Sequence, residues 1–206
     1  MSIFFTADPH YGHKNIIEYC DRPFGSVQEM NETMIANWNS VVSADDFTWI
    51  LGDYDLNGNE KNLAYLSRMN GRKGLISGNH DKCWVGKPIG HKHIARYVAA
   101  GFDFVTPWAQ IKIVDKNGVP NRVMMSHFPY QGDGEGRPDR YVECRLPDTG
   151  RWLLCGHIHE RWAQQGRQIN VGVDVRNFTP VSLPEIAVII AEGRKDVKLI
   201  ATERKT

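Results

Sequence analysis

At 206 residues, with 41% apolar and 24% charged side chains, the chain has the composition of a soluble globular protein with room for one large core, so a single domain over residues 1–206 is expected. Lys and Arg number 25 against 24 Asp and Glu, and a net charge of +1 provides no electrostatic footprint for long nucleic acid. The longest apolar run, residues 186–191, is far too short to cross a bilayer. The N-terminal segment Met1-Ser2-Ile3-Phe4-Phe5 lacks a basic region and does not read as a signal peptide. The four cysteines, Cys20, Cys83, Cys144 and Cys155, are scattered without a Cys-x-x-Cys pair. That spacing argues against a zinc finger or disulfide scaffold and fits reduced thiols in a cytoplasmic protein.

Residues 2–7 read as a strand that turns abruptly polar at Asp8-Pro9-His10, where proline stops it. A short helix over 14–20 follows. Ser26-Val27-Gln28-Glu29 fits a capping box, and Met30, Met34, Trp38 and Val41 or Val42 recur at helical spacing as a core-facing stripe. Residues 46–51 form a second strand, ending in Gly52-Asp53. Residues 59–70 suit a helix with Leu63, Leu66 and Met69 on one face and Gly71 as its stop. The run 72–77 reads as a buried third strand and opens into Gly78-Asn79-His80-Asp81. The order is therefore β-α-β-α-β, and in open α/β sheets ligands sit at the C-terminal ends of strands.

Beyond a loop at 88–93, which contains His91 and His93, a helix over 94–100 is expected. Residues 109–114 and 122–125 flank Lys116-Asn117-Gly118, a strong hairpin signal, and the second strand ends in Ser126-His127. Residues 129–150 are rich in Gly, Pro, Asp and Arg and lack periodicity, as functional or mobile connections often do. A strand over 152–155 ends in Gly156-His157-Ile158-His159. Residues 168–173, 186–191 and 197–201 read as closing strands. There is no internal repeat, low-complexity tract or linker.

Five strand ends thus carry polar clusters: Asp8 with His10, Asp53, Asn79-His80-Asp81, His127, and His157 with His159. Five of the 8 histidines fall in them. Imidazoles, carboxylates and one amide oxygen, without thiolates, suit first-row divalent ions, Mn²⁺ first, with Fe²⁺, Zn²⁺ or Ni²⁺ as alternatives. Asp8, His10, Asp53, Asn79, His127, His157 and His159 are too many ligands for one ion and about right for two, with an aspartate bridging. Two ions roughly 3.5–4 Å apart clamp the entering and leaving oxygens of an in-line displacement, which is phosphoryl-transfer chemistry.

Asp8-x-His10, Gly52-Asp53, Gly78-Asn79-His80-Asp81, His127 and Gly156-His157-Ile158-His159, in this order, resemble the calcineurin-like metallophosphoesterase superfamily, particularly the small phosphoesterases of bacteria and phages. The resemblance spans positions 8 to 159. It implies a four-layer α/β/β/α sandwich. It also implies that Asp8, His10, Asp53 and His159 hold one ion and that Asp53, Asn79, His127 and His157 hold the other, with Asp53 bridging. After Gly52-Asp53 this chain reads Tyr54-Asp55-Leu56-Asn57 and lacks the Asp-Arg pair of protein Ser/Thr phosphatases, so that branch loses support. Asp55 is expected to be exposed.

The expected activity is hydrolysis of phosphodiester bonds in small or cyclic nucleotides by a bridging hydroxide. Asn79 offsets charge on the phosphoryl oxygens, His80 protonates the leaving oxygen and Asp81 orients the His80 ring. A phosphomonoesterase or end-acting nuclease is the alternative. A non-catalytic scaffold, as in a retromer subunit, is a remote one. Arg137, Arg140 and Arg145 in the irregular segment, together with His13, are candidate substrate contacts. Tyr130 and Tyr141 are candidates for stacking or for packing beneath the loop, and Asn170-Val171-Gly172 is expected to line the floor.

Overall fold

The short apolar runs of the N-terminal half pair as a parallel sheet. In the computed structural model, which describes residues 1–133 and 138–198, β1 (Ile3–Thr6), β2 (Phe47–Ile50), β3 (Arg72–Ile76) and β4 (Phe104–Thr106) run in parallel. β10 (Val181–Ser182) pairs antiparallel with β1. The strand β4, only three residues long, adds to those expected from the sequence.

Helices α1 (Ile16–Tyr19) and α2 (Val27–Val41) connect β1 to β2. Ser26 caps α2 by accepting the Glu29 N–H at 3.1 Å. The Glu29 carboxylate turns instead to the Gly25 N–H, so the box at Ser26 is only half formed. Met30, Met34 and Trp38 bury the inner stripe of α2. The helix expected over 59–70 breaks into α3 (Glu60–Leu63) and a 3₁₀ turn at Ala64–Arg68, while Leu63, Leu66 and Met69 still face the core. Helix α4 (Ile94–Ala100) forms where expected.

A second, mixed sheet has the order β11-β8-β9-β7-β6-β5. It comprises β5 (Trp108–Val114), β6 (Pro120–Ser126), β7 (Trp152–Cys155), β8 (Gln164–Gly166), β9 (Gln168–Asn170) and β11 (Lys195–Val197). The strand expected over 197–201 lies partly outside the described residues. The β5–β6 hairpin closes where Asp115 Oδ1 accepts the N–H groups of Asn117 and Val119.

Residues 186–191 are not a strand. They belong to α5 (Leu183–Glu192). Ser182 and Glu185 form a reciprocal capping box there, with Pro184 in the first turn, and this start signal outweighs the β-branched composition of the run. Ile186 and Ile190 then fall on one buried face.

One apolar cluster lies between the first sheet and α2–α4. A second joins the two sheets, with Phe5, Leu51 and Ile76 against Ile113, Val123, Met125, Leu154 and Ile169. Each such fully buried side chain contributes about 1.5–3 kcal/mol. A third cluster groups Leu153, Cys155, Ile158 and Trp162, with Tyr130 packed against it. All four cysteines are free thiols, and three of them are buried. No helix among the described residues is long and apolar enough to cross a membrane.

Candidate metal centre

The C-terminal ends of β1, β2 and β3 in the first sheet come together with those of β6 and β7 in the second. Along each sheet the exits are tied by backbone: the Asp8 N–H donates to Gly52 O, and the Gly156 N–H donates to His127 O, both at 3.0 Å. Between the sheets, the His157 N–H donates to Asp8 Oδ2 at 2.9 Å, and His127 Nδ1 lies 2.8 Å from Leu51 O. Such close approach requires glycine. A β-carbon at Gly78 would collide with Asp53 and His127, and one at Gly156 would collide with Asp8.

Backbone strain concentrates here. Asp8, His10, Asp53, His157 and His159 all have positive φ, between 47° and 72°, a region non-glycine residues rarely occupy. Several left-handed side chains in one place mark a site whose geometry the surrounding fold enforces.

Among the described residues, Asp8, His10 and His159 each bring a ligand atom within 4.8 Å of the others, and so do Asp53, His127 and His157. Asp53 Oδ2 joins the two groups, 3.6 Å from His10 Nε2 and 3.3 Å from His127 Nε2. Asn79 Oδ1 sits 3.1 Å from His127 Nε2. The seven ligands expected from sequence therefore converge. Asp8 Oδ1 and both ring nitrogens of His10 are buried without a hydrogen-bond partner. Buried polar atoms normally find partners, and orphans of these types side by side fit a cation. These groups could hold metal. A third group, Cys20, His159 and Asp174, fits less well, because Arg22 already occupies both Asp174 oxygens.

Charge is divided unevenly over the cluster. Burial pushes the Asp8 carboxyl up to about 6, against the pull of His159 and His127. Burial would lower His127, but the Asp53 and Asp8 carboxylates outweigh it and raise the ring to about 9. His159 is also raised despite burial, chiefly by Asp174. Burial holds His10 low and takes His157 down to about 4. Positive charge facing the two carboxylates thus falls on His127 and His159.

The rim differs from expectation at Asp81. Its buried carboxylate accepts the backbone N–H groups of Asp53 and Tyr54 at 3.0 Å and of Gly78 at 2.8 Å. It braces the β2 and β3 exits and does not orient His80. The His80 N–H instead donates to Asp53 Oδ1 at 2.8 Å, and the ring stands edge-on to His10 with its side chain 38% exposed. His13 is half-buried beside His10 and His80. Asp55 is buried as well, accepting from Gly58, Asn59 and Tyr97, so the expectation of an exposed carboxylate fails.

The arginines of the irregular segment part ways. The Arg145 side chain is only 4% exposed and is engaged by Asp133, Asp139 and the carbonyls of Pro129 and Arg140, so it braces the loop. Arg140 is 59% exposed, with Nη2 3.5 Å from His157 Nε2. Arg137 lies outside the described residues. Tyr141 packs against Phe128 and His157, and Tyr130 packs under the loop.

Three supporting residues, Asp174, Arg22 and Asp133, escaped the sequence. Asp174 Oδ2 lies 3.0 Å from His159 Nδ1. Arg22 forms a buried bidentate pair with Asp174 and donates to the carbonyls of Asp8 and Pro9, fixing the β1 exit. Asp133 Oδ2 lies 3.0 Å from His157 Nε2. Asn170 Nδ2 donates to His159 O at 2.7 Å, which gives the expected floor a definite task. None of the three carries a local motif; Asp174 is 152 residues from Arg22.

No family model matches the chain. The crystal structure of AQ665 from Aquifex aeolicus shares its fold, with a TM-score of 0.63 and 24% identity over 90% of this chain and 97% of that one. The Gene 66 protein of Mycobacterium phage L5 is 37% identical over 181 residues, 83% of this chain and 86% of the relative. MJ1445 of Methanocaldococcus jannaschii is 32% identical over 201 residues, 93% of each chain. The Gene 66 protein of Mycobacterium phage D29 is 32% identical, covering 84% of this chain and 88% of the relative. The chain belongs to the family that these phage Gene 66 proteins and MJ1445 form.

Proposed function

We propose that the protein is a metal-dependent phosphodiesterase of the calcineurin-like metallophosphoesterase type, acting on small or cyclic nucleotides. The four-layer arrangement of that superfamily is part of this reading. One observation carries it: Asp53 Oδ2 lies between His10 and His127, so a single carboxylate links two buried ligand groups. Asp8, His10, Asp53 and His159 would hold one divalent ion. Asp53, Asn79, His127 and His157 would hold the second, with Mn²⁺ the first choice for this donor set. Such ions would neutralise phosphoryl charge and lower the pKa of an attacking water.

The chain's own groups do the rest. With Oδ1 toward His127, Asn79 keeps its amide N–H for a phosphoryl oxygen. Arg140, exposed beside His157, binds a further phosphoryl oxygen. His80, at the rim and near Asp53, hands a proton to the leaving oxygen. His13 widens the polar lip next to it.

Turnover of bis-p-nitrophenyl phosphate and p-nitrophenyl phosphate with added Mn²⁺ tests this reading. Faster hydrolysis of the diester supports it. Preference for the monoester would make the protein a phosphomonoesterase, and turnover of neither would make it a binding scaffold.

A further inference from the structure

We propose that Asp133 is a positioning residue for the ligand group of Asp53, His127 and His157: its carboxylate selects which nitrogen of His157 faces a cation and holds the Arg140 guanidinium beside it. This rests on the metal-centre reading above.

The Asp133 side chain is fully buried, with Oδ2 3.0 Å from His157 Nε2. An ionised carboxylate only accepts hydrogen bonds, so Nε2 must carry the proton. Nδ1 then keeps its lone pair and is the one nitrogen left to join Asp53 and His127. His157 is clamped at both ends, its backbone N–H on Asp8 and its Nε2–H on Asp133. A metal-binding imidazole commonly gives its other N–H to a carboxylate, and loss of that partner typically weakens metal affinity about 10- to 100-fold.

Asp133 is itself over-determined. Its Oδ1 takes Arg145 Nη2 at 2.7 Å and the Arg140 N–H at 3.1 Å, and its Oδ2 lies 3.5 Å from Arg140 Nε. Its own N–H donates to Asp139 Oδ1 at 3.1 Å, and Gly132 donates to Asp139 Oδ2 at 2.8 Å. With two guanidinium groups against it, Asp133 is a poor ligand and a firm anchor. The same contacts leave the outer face of Arg140 open at the edge of the site. One carboxylate thereby couples ring orientation to the position of the exposed Arg140 guanidinium.

The test is Co²⁺ titration, followed by visible absorption, of the full chain and its Asp133→Ala and Asp133→Asn variants. Wild type should take up two ions. Asp133→Ala should bind one of them at least about 10-fold more weakly, with a changed absorption band for that ion and the other unaltered. Asp133→Asn, whose amide oxygen still accepts from Nε2–H, should recover most of that affinity. If Asp133→Ala fails to fold, ¹⁵N spectra of wild-type histidines with Zn²⁺ decide the matter, with His157→Ala for assignment. An Nε2–H tautomer at His157 upholds the proposal, and an Nδ1–H tautomer overturns it. Unchanged affinity and spectrum in a folded Asp133→Ala also overturn it while leaving the metal centre intact. Wild type that binds no Co²⁺ removes the centre itself and the proposal with it.

Discussion

The His157 backbone N–H donates to Asp8 Oδ2 at 2.9 Å, joining the exits of β7 and β1 across 149 residues of chain. Asp8 Oδ1, its other oxygen, is buried without a hydrogen-bond partner, 3.9 Å from His127 Nδ1. Asp8→Asn keeps an oxygen for His157 but sets an amide at the orphan position. It should stay folded by circular dichroism and lose at least one of two bound Mn²⁺ ions by elemental analysis. Two ions retained would remove Asp8 from the ligand set.

His80 reaches the cluster twice, its backbone N–H donating to Asp53 Oδ1 at 2.8 Å and its half-exposed ring bringing Nε2 within 4.0 Å of Asp53 Oδ2. His80→Ala should lower kcat on the diester about 10²- to 10⁴-fold, the range for loss of a general acid. Mn²⁺ content should not change. Loss of an ion would make His80 a ligand and not an acid.

Asp174 and Arg22 form a buried pair with both carboxylate oxygens engaged. Asp174→Asn leaves the guanidinium buried without its counter-charge, a loss of about 3–5 kcal/mol in pairs of this kind. Urea unfolding should report that cost, together with weaker Mn²⁺ binding because His159 loses its carboxylate. A change in neither would mean that solvent reaches Arg22 and relieves it.

Cations compete with protons at Asp8, pushed up to about 6, and at His127, raised to about 9. The ion binds the deprotonated forms, so each uptake event expels protons. Mn²⁺ affinity should therefore climb as pH rises from about 6 through about 9, and the raised His159 adds to the climb. Calorimetry in buffers of different ionisation heat should show the release. Affinity that is flat across this window would locate the ions at other groups.

What the sequence makes legible here is chemistry at strand exits. Apolar runs that stop at Asp8, Asp53, Asn79, His127 and His157 announce both the strand and a candidate ligand, and all of these residues converge. Short-range signals also work for the Asn117-Gly118 hairpin and the Ser26 cap. They fail where two signals compete: the β-branched run in α5 reads as strand until Ser182 and Glu185 are recognised as its cap. They fail again for residues whose role depends on distant partners. Nothing near Asp133 or Asp174 in the chain reveals that each faces a histidine, and Asp81 lies beside His80 in sequence yet serves the backbone of Asp53 and Tyr54.

The most direct test is a crystal of the Mn²⁺-soaked protein, with anomalous differences collected at the manganese edge. Two peaks about 3.5–4 Å apart are expected, with Asp53 between them. Asp8, His10 and His159 should lie around one, and Asn79, His127 and His157 around the other. A single peak, or peaks away from Asp53, would contradict the two-ion centre.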